Sequence, residues 1–215
     1  MALHGKVWDD LGIARVGASV SVGDRTEELI LQGEALPGEA KHDFGTVVEL
    51  EDYDAEPTQL VSYHFWAEDT GPDGKIRRTE SDMYFAEVRH WEHIFREGAS
   101  PPPGEGSGEG NQSAELMKQQ KEVMSATWKL IRQADVSGIS SQLEDVGVVR
   151  ESQAILAGMV EEAMAQVPDE RLKELLMEAK GHMDTAVGYL AWVAENSDAE
   201  RMADALDSEK KAYQA

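Results

Sequence analysis

Between Ala99 and Gly110 the chain reads Ala-Ser-Pro-Pro-Pro-Gly-Glu-Gly-Ser-Gly-Glu-Gly, with no apolar side chain larger than alanine apart from the prolines. A proline run is stiff, a Gly/Ser run is slack, and neither has anything to bury, so no hydrophobic core continues through this stretch. It divides the 215 residues into two parts, each long enough to hold a core of its own. The borders that follow are a first domain over 7–98, a linker over 99–112 and a second domain over 113–215.

Before the linker the hydrophobic period is that of strands. Val16, Ala18, Val20 and Val22 alternate with Gly17, Ser19 and Ser21, which predicts a strand over Ile13–Val22 with one buried face. Gly23-Asp24 reads as a turn, Glu28–Gln32 as a second strand, Gly33–Gly38 as a break and Phe44–Leu50 as a third strand. Leu60–Glu68 is the strongest strand: Val61, Tyr63, Phe65 and Ala67 face one way, Ser62, His64, Trp66 and Glu68 the other, and both faces are expected to be covered. Thr70-Gly-Pro-Asp-Gly74 predicts a tight turn into Ile76–Thr79, and Met83–Arg89 follows. Five to six strands in about 80 residues, with turn signals every 8–12, are the spacing of an antiparallel β-sandwich of immunoglobulin-like type.

After the linker the period becomes helical. Leu116, Met117, Val123, Met124, Thr127, Leu130 and Ile131 form one stripe; Val149, Leu156, Met159, Val160, Ala163 and Val167 a second; Leu172, Leu175, Leu176, Ala179, Met183, Ala186, Leu190 and Val193 a third. Ser141-x-x-Glu144 and Ser197-x-x-Glu200 read as capping boxes, and Pro168-Asp169 puts a carboxylate at the start of the third helix. A short fourth helix is expected from Asp198. The fold class is therefore α+β in two domains, the second an antiparallel helical bundle or set of helical hairpins with three to four helices.

The formal net charge is -22, with 21 acidic and 9 basic residues in 1–98 and 21 and 11 in 99–215. Both halves repel phosphate backbones and anionic lipid heads, which argues against nucleic acid and favours cations or basic partners. With no cysteine, disulfide and thiolate chemistry are excluded. No stretch approaches the roughly 20 apolar residues of a membrane span, and Met1–Lys6 lacks the apolar core of a signal peptide. The two ends read as cut from a longer chain.

Asp9 and Asp10 before the first strand, and Asp52 and Asp54 in an acidic loop, are candidate oxygen ligands for Ca²⁺, against the simpler reading of solvated acidic loops. His90-Trp91-Glu92-His93 offers two imidazoles three apart but no third ligand, and reads better as structure. Glu178 and His182 lack the paired Glu-x-x-His motifs of a di-iron centre. There is no Gly-x-Ser-x-Gly and no phosphate-binding glycine loop, so no catalytic residue and no cofactor site is assigned.

The run Leu60-Val-Ser-Tyr-His-Phe-Trp-Ala-Glu-Asp69, with Gly71-Pro-Asp-Gly74 and Ser81-Asp-Met-Tyr-Phe-Ala-Glu-Val-Arg89, resembles the immunoglobulin-like region of DUF4175-type proteins of planctomycete and verrucomicrobial bacteria. So does Asp9-Asp10-Leu-Gly-Ile13, while Gln119–Arg132 resembles the helical region that follows in those proteins. The resemblance implies a segment of a large envelope protein, in the periplasm or cell envelope, whose membrane anchor lies outside this chain, and it carries no catalytic residues. The functional expectation is a non-catalytic structural or protein-interaction module, binding other proteins or itself. The alternatives are a Ca²⁺-binding adhesion-like sandwich and a fragment of a carbohydrate-active or other enzyme.

Overall fold

Strand β2 (Ile13–Val22) is the spine of the first unit. Valine and alanine at every second position put four side chains on one face, while glycine and serine between them let a large side chain lie flat across the other. The computed structural model describes residues 1–23, 25–38, 40–88 and 109–215, and the chain falls into two units, Met1–His93 and Ile94–Ala215. The segment His90–His93 and the expected linker lie outside the described residues, except for the end of the linker, which is helical from Glu109.

In the first unit β3 (Arg25–Gln32), β2, β5 (Leu60–Thr70) and β6 (Ile76–Glu80) lie side by side in that order, and β7 (Tyr84–Glu87) pairs the first half of β5. All these pairings are antiparallel. A second, two-stranded sheet joins β1 (Ala2–Val7) to β4 (His42–Val47), with Gly5 opposite Phe44. Strand β1 is not expected from its residues, because its inward positions are Leu3, Gly5 and Val7 and a central glycine removes the apolar contrast. That glycine is needed: a Cβ there would sit 2.3 Å from Phe44 Cζ.

Leu3, Ala18, Val20, Val22, Val48, Tyr53 and Val61 form one buried cluster, so the two-stranded sheet lies over the valine face of the five-stranded one. Phe44 meets Phe65 edge-on across that cluster at 5.1 Å between ring centroids. The expected strand Phe44–Leu50 ends early, at Val47. Leu50–Tyr53 instead forms a 3-10 turn, whose period of three brings Leu50 and Tyr53 onto one side and buries the tyrosine ring. Asp54 closes the turn with φ at 52°. The turn into β6 forms as expected, with Gly71 N–H donating to Lys75 O and Gly74, at φ 77°, donating to Gly71 O.

Among its described residues the second unit holds four α-helices: α1 (Glu109–Ser137), α2 (Leu143–Gln166), α3 (Glu170–Asn196) and α4 (Met202–Gln214). Helices α1 and α3 each pack against both α2 and α4, around a core that includes Val123, Leu130, Val146, Val149, Leu190, Val193 and Met202. Helix α1 starts at Glu109, earlier than the border at 113, because each added helical residue gains a hydrogen bond and carrying the helix over Gly110 costs only about 1 kcal/mol.

Two capping expectations are corrected. Ser141 spends its hydroxyl on Gly138 O at 3.0 Å inside a 3-10 turn, and α2 begins after Gln142 with no side-chain cap. Ser197 is the left-handed C-terminal residue of α3, at φ 53°, and the next residue, Asp198, accepts from Glu200 N. Asp169 caps α3 as expected, accepting from the N–H groups of Arg171 and Leu172. Leu172 and Leu175, expected inside, are 45% and 47% exposed. The cause is length: α3 runs about 40 Å and α4 only about 20 Å at 1.5 Å per residue, so the returning α4 stops short of the first turns of α3.

Candidate functional site

The four candidate Ca²⁺ ligands fall at opposite ends of β2. Asp9 Oδ1 accepts from the N–H groups of Leu11 and Gly12 just before the strand begins, and the Asp10 carbonyl lies against Gly38 at the same end. Asp52 and Asp54 belong to the 3-10 turn beside Arg25, past the other end of β2. Ten residues at about 3.3 Å each separate the two pairs by roughly 30 Å. Asp52 and Asp54 thus share one turn, Asp9 and Asp10 another, and one ion cannot reach both. Among the described residues no group of three or more His, Asp or Glu side chains is placed to hold a metal.

On the outer face of the five-stranded sheet, Trp66 lies across Gly17, and Arg78 stands over the indole with its guanidinium carbon 4.3 Å from the centroid. Arg78 donates to both carboxylate oxygens of Glu28 at 3.2 and 2.6 Å, and through Nε to Glu80 at 3.2 Å. The hydrogen bond from Arg78 holds Glu28 below the usual carboxylate range. Arg15 pairs with Glu68 on the same face at 2.6 Å. Glu28 stands on β3 and Arg78 on β6, so the ion pair spans the width of the sheet and braces the β3 edge.

Strand β3 ends the five-stranded sheet, and β4 pairs only with β1 among the described residues, so each presents an unpaired row of backbone groups. Between these edges runs a cleft of about 540 Å³. Leu29, Leu31, Val48 and Tyr53 form its apolar floor, and Ile30 and Val47 stand at its lips, 60% and 69% exposed. Four carboxylates, Glu27, Glu28, Glu49 and Asp52, line it. Glu28 is matched by Arg78 and Glu27 by Arg25 at 3.8 Å, whereas Glu49 and Asp52 carry no ion pair among the described residues. Arg25 closes one end, donating to Asp52 O at 2.5 Å with its guanidinium 5.4 Å from the Tyr53 centroid. Burial first, and then Glu27, push Tyr53 up to about 12, so the ring stays neutral.

In the helical unit a polar network crosses the core. Gln120 Nε2 donates to Gln153 Oε1 at 3.2 Å and to the Glu209 carbonyl at 3.0 Å, and Gln153 returns a bond to Gln120 Oε1 at 3.0 Å. Thr127 Oγ1 donates to Glu209 Oε1 at 2.8 Å, and Oε2 meets no partner among the described residues. Burial drives the Glu209 carboxyl up to about 8, against a smaller opposing effect of the Thr127 bond, so it holds its proton at neutral pH. The network joins α1, α2 and α4, and its side chains Gln120, Thr127, Gln153 and Glu209 are buried, which suits it to fixing helix register.

Sequence reading passes over both features, although signals exist. Gln120 stands three residues before Val123, Gln153 four after Val149 and Glu209 four after Ala205, each in phase with its buried stripe. Adjacent acids inside β3, ahead of Leu-Ile-Leu, are the mark of a protected edge strand. No family model, no curated protein and no solved structure matches the chain.

Proposed function

We propose that the chain is a non-catalytic protein-interaction module and that its strand unit, read as an immunoglobulin-like sandwich, docks a partner along the open edge of β3. The observation that carries this is the outer edge of β3, unpaired among the described residues, beside an open cleft whose lips, Ile30 and Val47, are apolar and exposed. An edge of this kind is a ready template for another strand. The ion pair between Glu28 and Arg78 holds the edge in place before a partner arrives, which lowers the ordering cost of binding. The helical unit, read as a bundle, serves as a second structural element, and the resemblance stated above supports placing the module in a larger bacterial envelope protein.

The test is a photo-crosslinking amino acid at Ile30, with a control at Val136, the 89%-exposed apolar residue at the end of α1. In the bacterium that carries the gene, the Ile30 probe is expected to form a discrete adduct with one protein and the Val136 probe to form none. Equal, diffuse labelling from both positions removes the reading.

A further inference from the structure

We infer that the partner is an extended, positively charged segment that adds to β3 as a further strand, with two consecutive basic residues over the acids and β-branched residues in the cleft. The inference rests on the reading of this edge as a docking surface. The pattern comes from β3 itself. Glu27 and Leu29 stand opposite Val20 and Ala18, on the core side, while Glu28 and Ile30 stand opposite Ser19 and Gly17, on the outer side. Along the edge both faces therefore change together, from acid at 27–28 to apolar at 29–31. A strand laid against it needs two adjacent cations and then a run of apolar residues, because directly opposed pairs interact most strongly.

The acids are concentrated at the same end. Glu49 and Asp52, without counter-cations among the described residues, add to Glu27 and Glu28. Arg25 and Arg78 offset the charges of Glu27 and Glu28, while Glu49 and Asp52 leave the local field negative. A second copy of this chain fits poorly. Two β3 edges centred on Glu27 and Glu28 set carboxylate against carboxylate, and centred on Leu29 they set carboxylates against Ile30 and Leu31. Neither register supplies a cation, and each copy brings a net charge of -22.

The test uses the full chain and three end-blocked peptides followed by fluorescence anisotropy: Ser-Val-Ile-Val-Lys-Lys-Ser, the same peptide with Glu-Glu for Lys-Lys, and the lysine peptide N-methylated at alternate amides. The lysine peptide is expected to bind roughly tenfold or more tighter than either control. Glu27→Lys is expected to weaken it by roughly tenfold and to raise the affinity of the Glu-Glu peptide, a reversal that an unfolded variant cannot produce. Equal binding of the N-methylated peptide, or a Glu27→Lys variant with unchanged affinities, overturns the inference, as does a dimer of the chain that excludes the peptide. Failure of the lysine peptide while Ile30 still crosslinks to a protein removes the basic strand and leaves the docking edge; failure of both removes both.

Discussion

At Gly17 an added Cβ would lie 2.1 Å from Trp66 Cζ2 and 2.5 Å from the carbonyl oxygen of Leu29. An indole can tilt, but a strand backbone cannot withdraw without breaking its ladder. Gly17→Ala is therefore expected to cost about 3 kcal/mol in the strand unit, the upper range for overpacking, read as a lower urea midpoint for loss of its β-sheet circular dichroism. A midpoint unchanged from the parent would mean that the ring and backbone yield easily. The alternation of small and apolar residues at 16–22 is legible from the sequence, but the reason for a glycine at 17 is not, since it comes from an indole brought across by pairing with β5. The same holds for Gly5 under Phe44. Asp9 and Asp52 show the reverse: their identity invites an ion, and only the length of β2 reveals that their sites lie apart.

Among the elements, those with local causes were the readable ones. The cap at Asp169 is complete within three residues, so its pattern suffices. The box at Ser141 fails because Gly138 competes for the hydroxyl, and the first turns of α3 stay exposed because α4 is short. The polar network depends on three helices meeting, and it makes a measurable prediction. Glu209 has a folded-state pKa near 8, above its ordinary 4.5. The folded chain thus holds a proton that the unfolded chain has released between those values. Its stabilising contribution is full below pH 4.5 and is lost as pH rises through 8, with a slope of at most about 1.4 kcal/mol per pH unit. The melting temperature of the helical unit is expected to fall from pH 5 to pH 8, and Glu209→Gln, which keeps an oxygen for Thr127, to flatten that fall. Parallel pH profiles for parent and variant would contradict the assignment.

For the molecule as a whole, two features are legible in the sequence: the change of hydrophobic period across Ala99–Gly110, and the acidic composition of both halves. The order of the strands is not, because β1 pairs with β4 and β2 with β5 across long stretches of chain. That order is what leaves β3 at an edge and opens the cleft beside it, so the candidate site is a product of topology, with its acids merely visible beforehand. Amide hydrogen exchange on the intact chain, with and without the peptide Ser-Val-Ile-Val-Lys-Lys-Ser, tests this most directly. Exchange is expected to slow by roughly tenfold or more within Arg25–Gln32 while α1–α4 are unchanged. Unaltered exchange in β3, or protection that appears only in the helices, would contradict it.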